Sequence, residues 1–89
     1  MSSTKRWQVE VFIDEHETTT RAEARLQNRD KTGIVGVGSA RRSPAESEFP
    51  EIGDELAVSR ALADLSQRLL EAAVADVEGV TQHPAHLKS

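Results

Sequence analysis

One stretch constrains this chain more than any other: an uninterrupted helical pattern from Asp54 to Glu78, DELAVSRALADLSQRLLEAAVADVE. Val58, Leu62, Leu65, Leu69, Ala72 and Ala73 recur at the three- and four-residue steps that line one face of a helix. No proline or glycine interrupts it. Asp54 and Glu55 place negative charge at the N-terminal end, where the helix dipole favours it, and Gly79 follows as the expected stop. At 1.5 Å per residue such a helix is roughly 37 Å long and needs a surface to lie on.

The first half of the chain supplies that surface as three strands. Trp7 to Ile13 alternates, with Trp7, Val9, Val11 and Ile13 on one face and Gln8, Glu10 and Phe12 on the other, which predicts a strand with one buried face. Asp14 to Thr19 is a polar connector. Thr20 to Gln27 alternates again, placing Ala22, Ala24 and Leu26 opposite Arg21, Glu23, Arg25 and Gln27. Helix propensity competes here, because Ala and Glu are poor strand formers, but the period of two decides for a strand. Asn28 to Gly33 reads as a turn with Gly33 available for a positive backbone angle. Ile34 to Arg42 is the third strand, and its Gly36 and Gly38 leave one face flat, suited to close approach by a helix.

The expected fold class is therefore α+β: a three-stranded antiparallel meander over 7–42, a connector over 43–53 carrying Pro44 and Pro50, the helix over 54–78, and a tail over 79–89. All of it forms one domain of 89 residues. A chain of this size buries only about 60–65% of its unfolded surface, and with Trp7, Phe12 and Phe49 as its three aromatics the packing falls to aliphatic side chains.

Charge is unevenly distributed. Residues 1–42 hold eight Lys/Arg against six Asp/Glu, whereas 43–78 hold two against nine, so the net −4 divides into a mildly basic strand half and a strongly acidic connector and helix. An acidic helix is a poor phosphate-facing surface. There is no cysteine, hence no disulfide framework or thiolate metal site, and no apolar run approaches the ~20 residues of a membrane span. MSSTKRW has no hydrophobic signal core, and a soluble cytoplasmic protein is the expectation.

Candidate chemistry is sparse. His16 lies between Glu15 and Glu17, and His83 and His86 straddle Pro84 in the tail; a metal site wants three or four ligands on rigid elements, so solvated loops account for them better and no metal is expected. No glycine-rich phosphate loop, nucleophile elbow or HExxH helix occurs, and neither an enzymatic activity, a small-molecule substrate nor a cofactor is expected. The arginines are denser: Arg21 and Arg25 on the open sheet face, Arg29 and Lys31 in the turn, Arg41 and Arg42 closing the third strand. Arg21, Arg25, Arg41 and Arg42 are the candidate nucleic-acid contacts, set against cross-strand pairing with Glu10, Glu23 and Asp30.

WQVEVFIDEH, TRAEARL, IVGVGSARR and PEIGDELAVSRALADL together resemble a family of short actinobacterial domains of unknown function, over nearly the whole chain. The resemblance implies a three-stranded antiparallel sheet backed by a long helix, a reduced double-stranded-RNA-binding-domain fold without its first helix. It also implies a homodimer and, for relatives, an association with dormancy or stress and a shape likened to ribosome-hibernation factors. True double-stranded-RNA-binding domains carry a basic run at the start of the helix that follows the third strand. Here Arg41 and Arg42 stand nearest to that run, an eleven-residue connector intervenes, and the helix opens with Asp54 and Glu55.

Apart from that resemblance, Leu56, Ala63, Leu70, Val74 and Val77 spread apolar surface around more of the helix than one three-stranded sheet can cover, which points to a homodimer or partner surface through helix packing, edge-strand pairing or both. Two functions stay open. One is a stress- or dormancy-linked ribosome- or RNA-associated factor, whose mark would be a contiguous positive patch of Arg21, Arg25, Arg41 and Arg42. The other is a homodimeric protein-protein interaction module whose acidic helix and connector recognise a basic partner.

Overall fold

The structure is a computed structural model, and it describes residues 3–27, 33–41 and 49–81. Alternating sequence becomes three antiparallel strands, β1 (Gln8–His16), β2 (Thr19–Gln27) and β3 (Val35–Arg41), in the order β1-β2-β3, followed by one helix, α1 (Pro50–Thr81). The fold class is the expected one.

The polar segment after Ile13 is mostly strand. β1 runs on to His16, which pairs with Thr19 across a two-residue turn in which Glu17 takes a positive φ of 56°. Hairpins this tight need such backbone angles, so the connector expected over Asp14 to Thr19 shrinks to two residues. Gly33 adopts φ 93° as its place in the turn requires, and the Leu26 amide donates to the Ile34 carbonyl at 3.1 Å, closing the second hairpin.

The helix is longer at both ends than its charge pattern predicts. It starts at Pro50, whose missing N–H is no loss in a first turn, and the Ile52 amide donates to the Phe49 carbonyl at 3.0 Å. At the other end it passes through Gly79, which is not a stop, to Thr81. The 32 residues make a rod of roughly 48 Å, against about 30 Å for a nine-residue strand, so α1 outruns the sheet.

The core is built from small side chains. Ala22, Ala24 and Leu26 of β2, Ala40 of β3, and Ala57, Ala61 and Leu65 of α1 are buried together, with Ile34, Val58 and Leu69 packed partly against them. Thr20 is also fully buried, and its hydroxyl has no hydrogen-bond partner among the described residues. Gly36 and Gly38 explain the choice of alanines. A Cβ at Gly36 would lie 2.7 Å from Leu65 Cα, and one at Gly38 would lie 2.6 Å from the Ala57 carbonyl oxygen. The α1 backbone thus rests directly on the β3 backbone, as the two glycines lead one to expect.

That contact turns the helix away from its predicted orientation. Ala57 and Ala61, which the periodic reading passed over, face the glycines and are buried; Leu62 and Ala73, which it placed on the core stripe, are exposed. Only residues as small as alanine fit where two backbones meet, so the larger side chains move to the flanks.

A second correction concerns β1. Register pairs Val9 with Leu26, Val11 with Ala24 and Ile13 with Ala22, so these residues share the helix-side face of the sheet. Yet every residue of β1 is exposed. Because α1 lies over β3 and β2, it does not reach across to β1, and the expected buried face is left open.

Candidate interaction surfaces

Three surfaces follow from this placement: the outer sheet face, the β3 edge, and a trough between β1 and the helix. The outer face collects the predicted arginines. Register sets four rows across it: Glu10, Arg25 and Val35; Phe12, Glu23 and Val37; Asp14, Arg21 and Ser39; His16, Thr19 and Arg41. Arg21 and Arg25 do stand on the open face, as expected, but both turn toward Glu23. Arg21 Nη1 meets Glu23 Oε1 at 2.8 Å, Arg25 Nη2 meets Oε2 at 2.9 Å, and the Arg25 guanidinium stacks 4.4 Å from the Phe12 ring centre. The hydrogen bond from Arg21, then that from Arg25, holds the Glu23 carboxyl below the ordinary glutamate value. Arg41 is exposed at the end of β3, while Arg42, Arg29 and Lys31 lie outside the described residues. Across the described strands Arg21, Arg25 and Arg41 are matched by Glu10, Asp14 and Glu23, so charges alternate rather than merge into one positive field.

The free edge of β3 is occupied by helix side chains. Asp64 Oδ2 accepts the Val37 amide at 2.8 Å, and Arg60 Nη1 donates to the Ser39 carbonyl at 2.7 Å. Arg68 Nε braces Asp64 at 3.1 Å. Val37's amide first, and Arg68 second, keep the Asp64 carboxyl below the usual aspartate value. With one outward N–H and one outward C=O already bonded to helix side chains, this edge is a poorer template for another strand. Sequence reading gave no hint of this clip, since Arg60 and Asp64 resemble any charged pair on a solvated helix.

Because Arg60 and Asp64 hang over the β3 edge, the opposite flank of α1, roughly 60–100° round from Ala61, looks toward β1. That flank carries Val58, Leu62 and Leu69. Below it runs the open row of β1: Val9, Val11 and Ile13 are 42%, 38% and 43% exposed, with Trp7 just before the strand at 52%, and Leu62 above them 43%. Single exposed hydrophobic residues are ordinary, but a contiguous row walled by a helix marks an interaction site. This trough combines the uncovered strand and the displaced leucine described above.

The predicted partner residues on the helix lie on its other side. Leu56, Ala63, Leu70, Val74 and Val77 point away from the sheet; Leu56, Ala63 and Val77 are exposed, Leu70 and Val74 half-buried. They form a second, narrower apolar stripe with Glu55, Glu71 and Glu78 to its sides.

Enclosed chemistry is not seen at the surface recesses. One of about 560 Å³ is lined by Gly33, Ile34, Val35, Arg68, Glu71 and Ala72, another of about 340 Å³ by Thr19, Arg21, Val37, Gly38 and Ser39. Among the described residues no three His, Asp or Glu side chains gather as metal ligands would, and no helix is long and apolar enough to cross a membrane. His83 and His86 are outside the described residues.

Known proteins are similar to this chain. Over 83 residues the chain is 54% identical to an uncharacterized protein of Mycobacterium bovis, Mb1767, covering 93% of this chain and 87% of that one. The uncharacterized protein Rv2632c of Mycobacterium tuberculosis is 45% identical over 80 residues, 90% of this chain and 85% of its own length. The crystal structure of Rv2632c superposes with a TM-score of 0.81 at 43% identity, covering 93% of this chain and 98% of that one. The family profile described as Rv2632c-like matches residues 5–86, and the chain, with its β1-β2-β3-α1 order, belongs to the Rv2632c-like family.

Proposed function

We propose that the domain is a non-enzymatic protein-protein interaction module that works as a homodimer and offers its acidic helix to a basic partner. The observation that carries this reading is the uncovered apolar trough between β1 and α1, too extensive to be left in water by a chain with so small a core. A second copy is the occupant that supplies a matching surface, because a twofold arrangement sets each trough against its own equivalent. Exposed Glu55, Glu71 and Glu78 stay outside that contact and give the helix its negative field.

Sedimentation equilibrium tests it. The native chain is expected at twice its chain mass of 9.8 kDa, and Ile13→Glu, which puts a charge in the trough without touching the core, at the single-chain mass with its helix signal intact. A native chain that sediments as a monomer at high concentration sinks the reading.

The ribosome- or RNA-associated role, with its stress or dormancy setting and its double-stranded-RNA-binding likeness, draws less support from this geometry. Arg21 and Arg25 are engaged by Glu23, and the outer face alternates in sign. Co-sedimentation with ribosomes that weakens with salt and is lost when Arg21, Arg25 and Arg41 become alanine would favour that role instead.

A further inference from the structure

We propose that the overhanging end of α1, from Leu70 to Val80, docks a basic amphipathic helix of another protein, which lies along it with its apolar residues inward and Lys or Arg at its borders. This rests on the reading of the acidic helix above, and it names the segment that binds and the form of the partner. Three observations lead to it.

First, this end of the helix has no sheet beneath it. α1 meets the start of β3 at Arg68, Glu71 and Ala72, which share a recess with Gly33, Ile34 and Val35. Beyond that point the rod runs on, and every residue from Ala75 to Val80 is exposed. Helices in proteins are held mostly by the packing of an apolar face. This segment is also a weak helix former in itself, since Val74, Val77 and Val80 are β-branched and Gly79 lies within it.

Second, an apolar stripe runs along it. Leu70, Ala73, Val74, Val77 and Val80 follow at steps of three and four residues and cover about 120° of the circumference. Val77 is 39% exposed and Val80 84%, the highest among the large hydrophobic side chains described. A ridge with that spacing is the surface against which a second helix packs.

Third, charge selects the partner. From Glu71 to Thr81 the sequence holds three acids, Glu71, Asp76 and Glu78, and no base. Glu71 and Glu78 stand two turns apart along one border of the stripe and make no ion pair among the described residues. Acids near the C-terminal end also oppose the helix dipole, and the last turn has no base to offset them. Cations from a partner relieve both. A second copy of this chain would bring the same acids against their equivalents, and the phosphates of nucleic acid or anionic lipid are repelled in the same way.

The probe is a labelled synthetic peptide of leucine and lysine, with leucine at the three- and four-residue steps of one helix face, titrated with the full chain and followed by fluorescence anisotropy. One control peptide alternates leucine and lysine as a strand does; the other has glutamate in place of lysine. The expected result is saturable binding of the helical lysine peptide alone, weakening as salt rises. Val77→Ser with Val80→Ser, which leaves the charge unchanged, is expected to weaken it about tenfold or more. Glu71→Gln with Glu78→Gln is expected to weaken binding while raising the melting temperature of the free chain, because it relieves the helix end; a merely structural role would move the two together. Circular dichroism checks that each variant keeps its helix. Binding of the helical peptide that neither variant weakens overturns this site but leaves the basic partner standing. Equal binding of the alternating or the glutamate peptide overturns the form of the partner. If neither lysine peptide binds, the basic partner falls with the site, and sedimentation of the same samples reports the homodimer separately.

Discussion

Gly36 and Gly38 carry a structural demand that the surrounding residues then inherit. Each faces backbone atoms of α1 rather than the movable end of a side chain, so a methyl group added there can be accommodated only by lifting the helix. Gly36→Ala is expected to cost at least about 3 kcal/mol, the upper part of the range for overpacking, out of the roughly 5–15 kcal/mol available to a domain. Gly33→Ala meets open space and pays only for the positive φ of 93°, about 1 kcal/mol. Urea midpoints for the two variants check the contrast, and similar losses would show that the helix does not rest on β3. At this scale the glycines were legible and their consequence was not. Two glycines on one strand face announce a close approach, but a hydrophobic period weights large residues, so Leu62 claimed the core position that Ala57 and Ala61 fill.

Elements differ in how their edges and faces are finished. β3 is closed by side chains of α1 that lie more than twenty residues away in the chain, and nothing local in VGVGSAR or RALAD says so. Alternation in β1 likewise shows that one face is apolar without showing whether anything lies on it. The strands themselves were readable because their period of two persists; the helix ends were not, because Pro50 begins a helix and Gly79 does not end one. The clip at β3 has a pH signature. Asp64 and Glu23 are both held below their ordinary values of 3.8 and 4.5, so the folded chain binds fewer protons than the unfolded chain in the acid range. Their contribution is fully present above those values and is lost as the pH falls through the lower, folded-state ones. Stability of the native chain is therefore expected to fall below about pH 4.5, and Asp64→Asn with Glu23→Gln to flatten that part of the profile. Urea midpoints taken from pH 6 to pH 2.5 measure it; an unchanged slope in the double variant would show that other carboxylates govern the acid limb.

The whole molecule carries a small core and a large uncovered trough on one body. Its buried side chains are mostly alanines, which contribute little area each, while Trp7, Val9, Val11, Ile13 and Leu62 keep 38–52% of theirs in water. In the proposed homodimer a second copy that covers them would add to the folded state what the isolated core lacks, and it would bind only the folded chain. Mass action then couples stability to protein concentration. The melting temperature of the native chain is expected to rise steadily as concentration increases across the range in which it dimerises, and that of Ile13→Glu to stay flat and lower throughout. Calorimetry over a hundredfold concentration series, with sedimentation run on the same samples, reads both. A native melting temperature independent of concentration, in samples that sediment as single chains, would mean that the core of alanines and glycines suffices alone and that the trough serves some other partner.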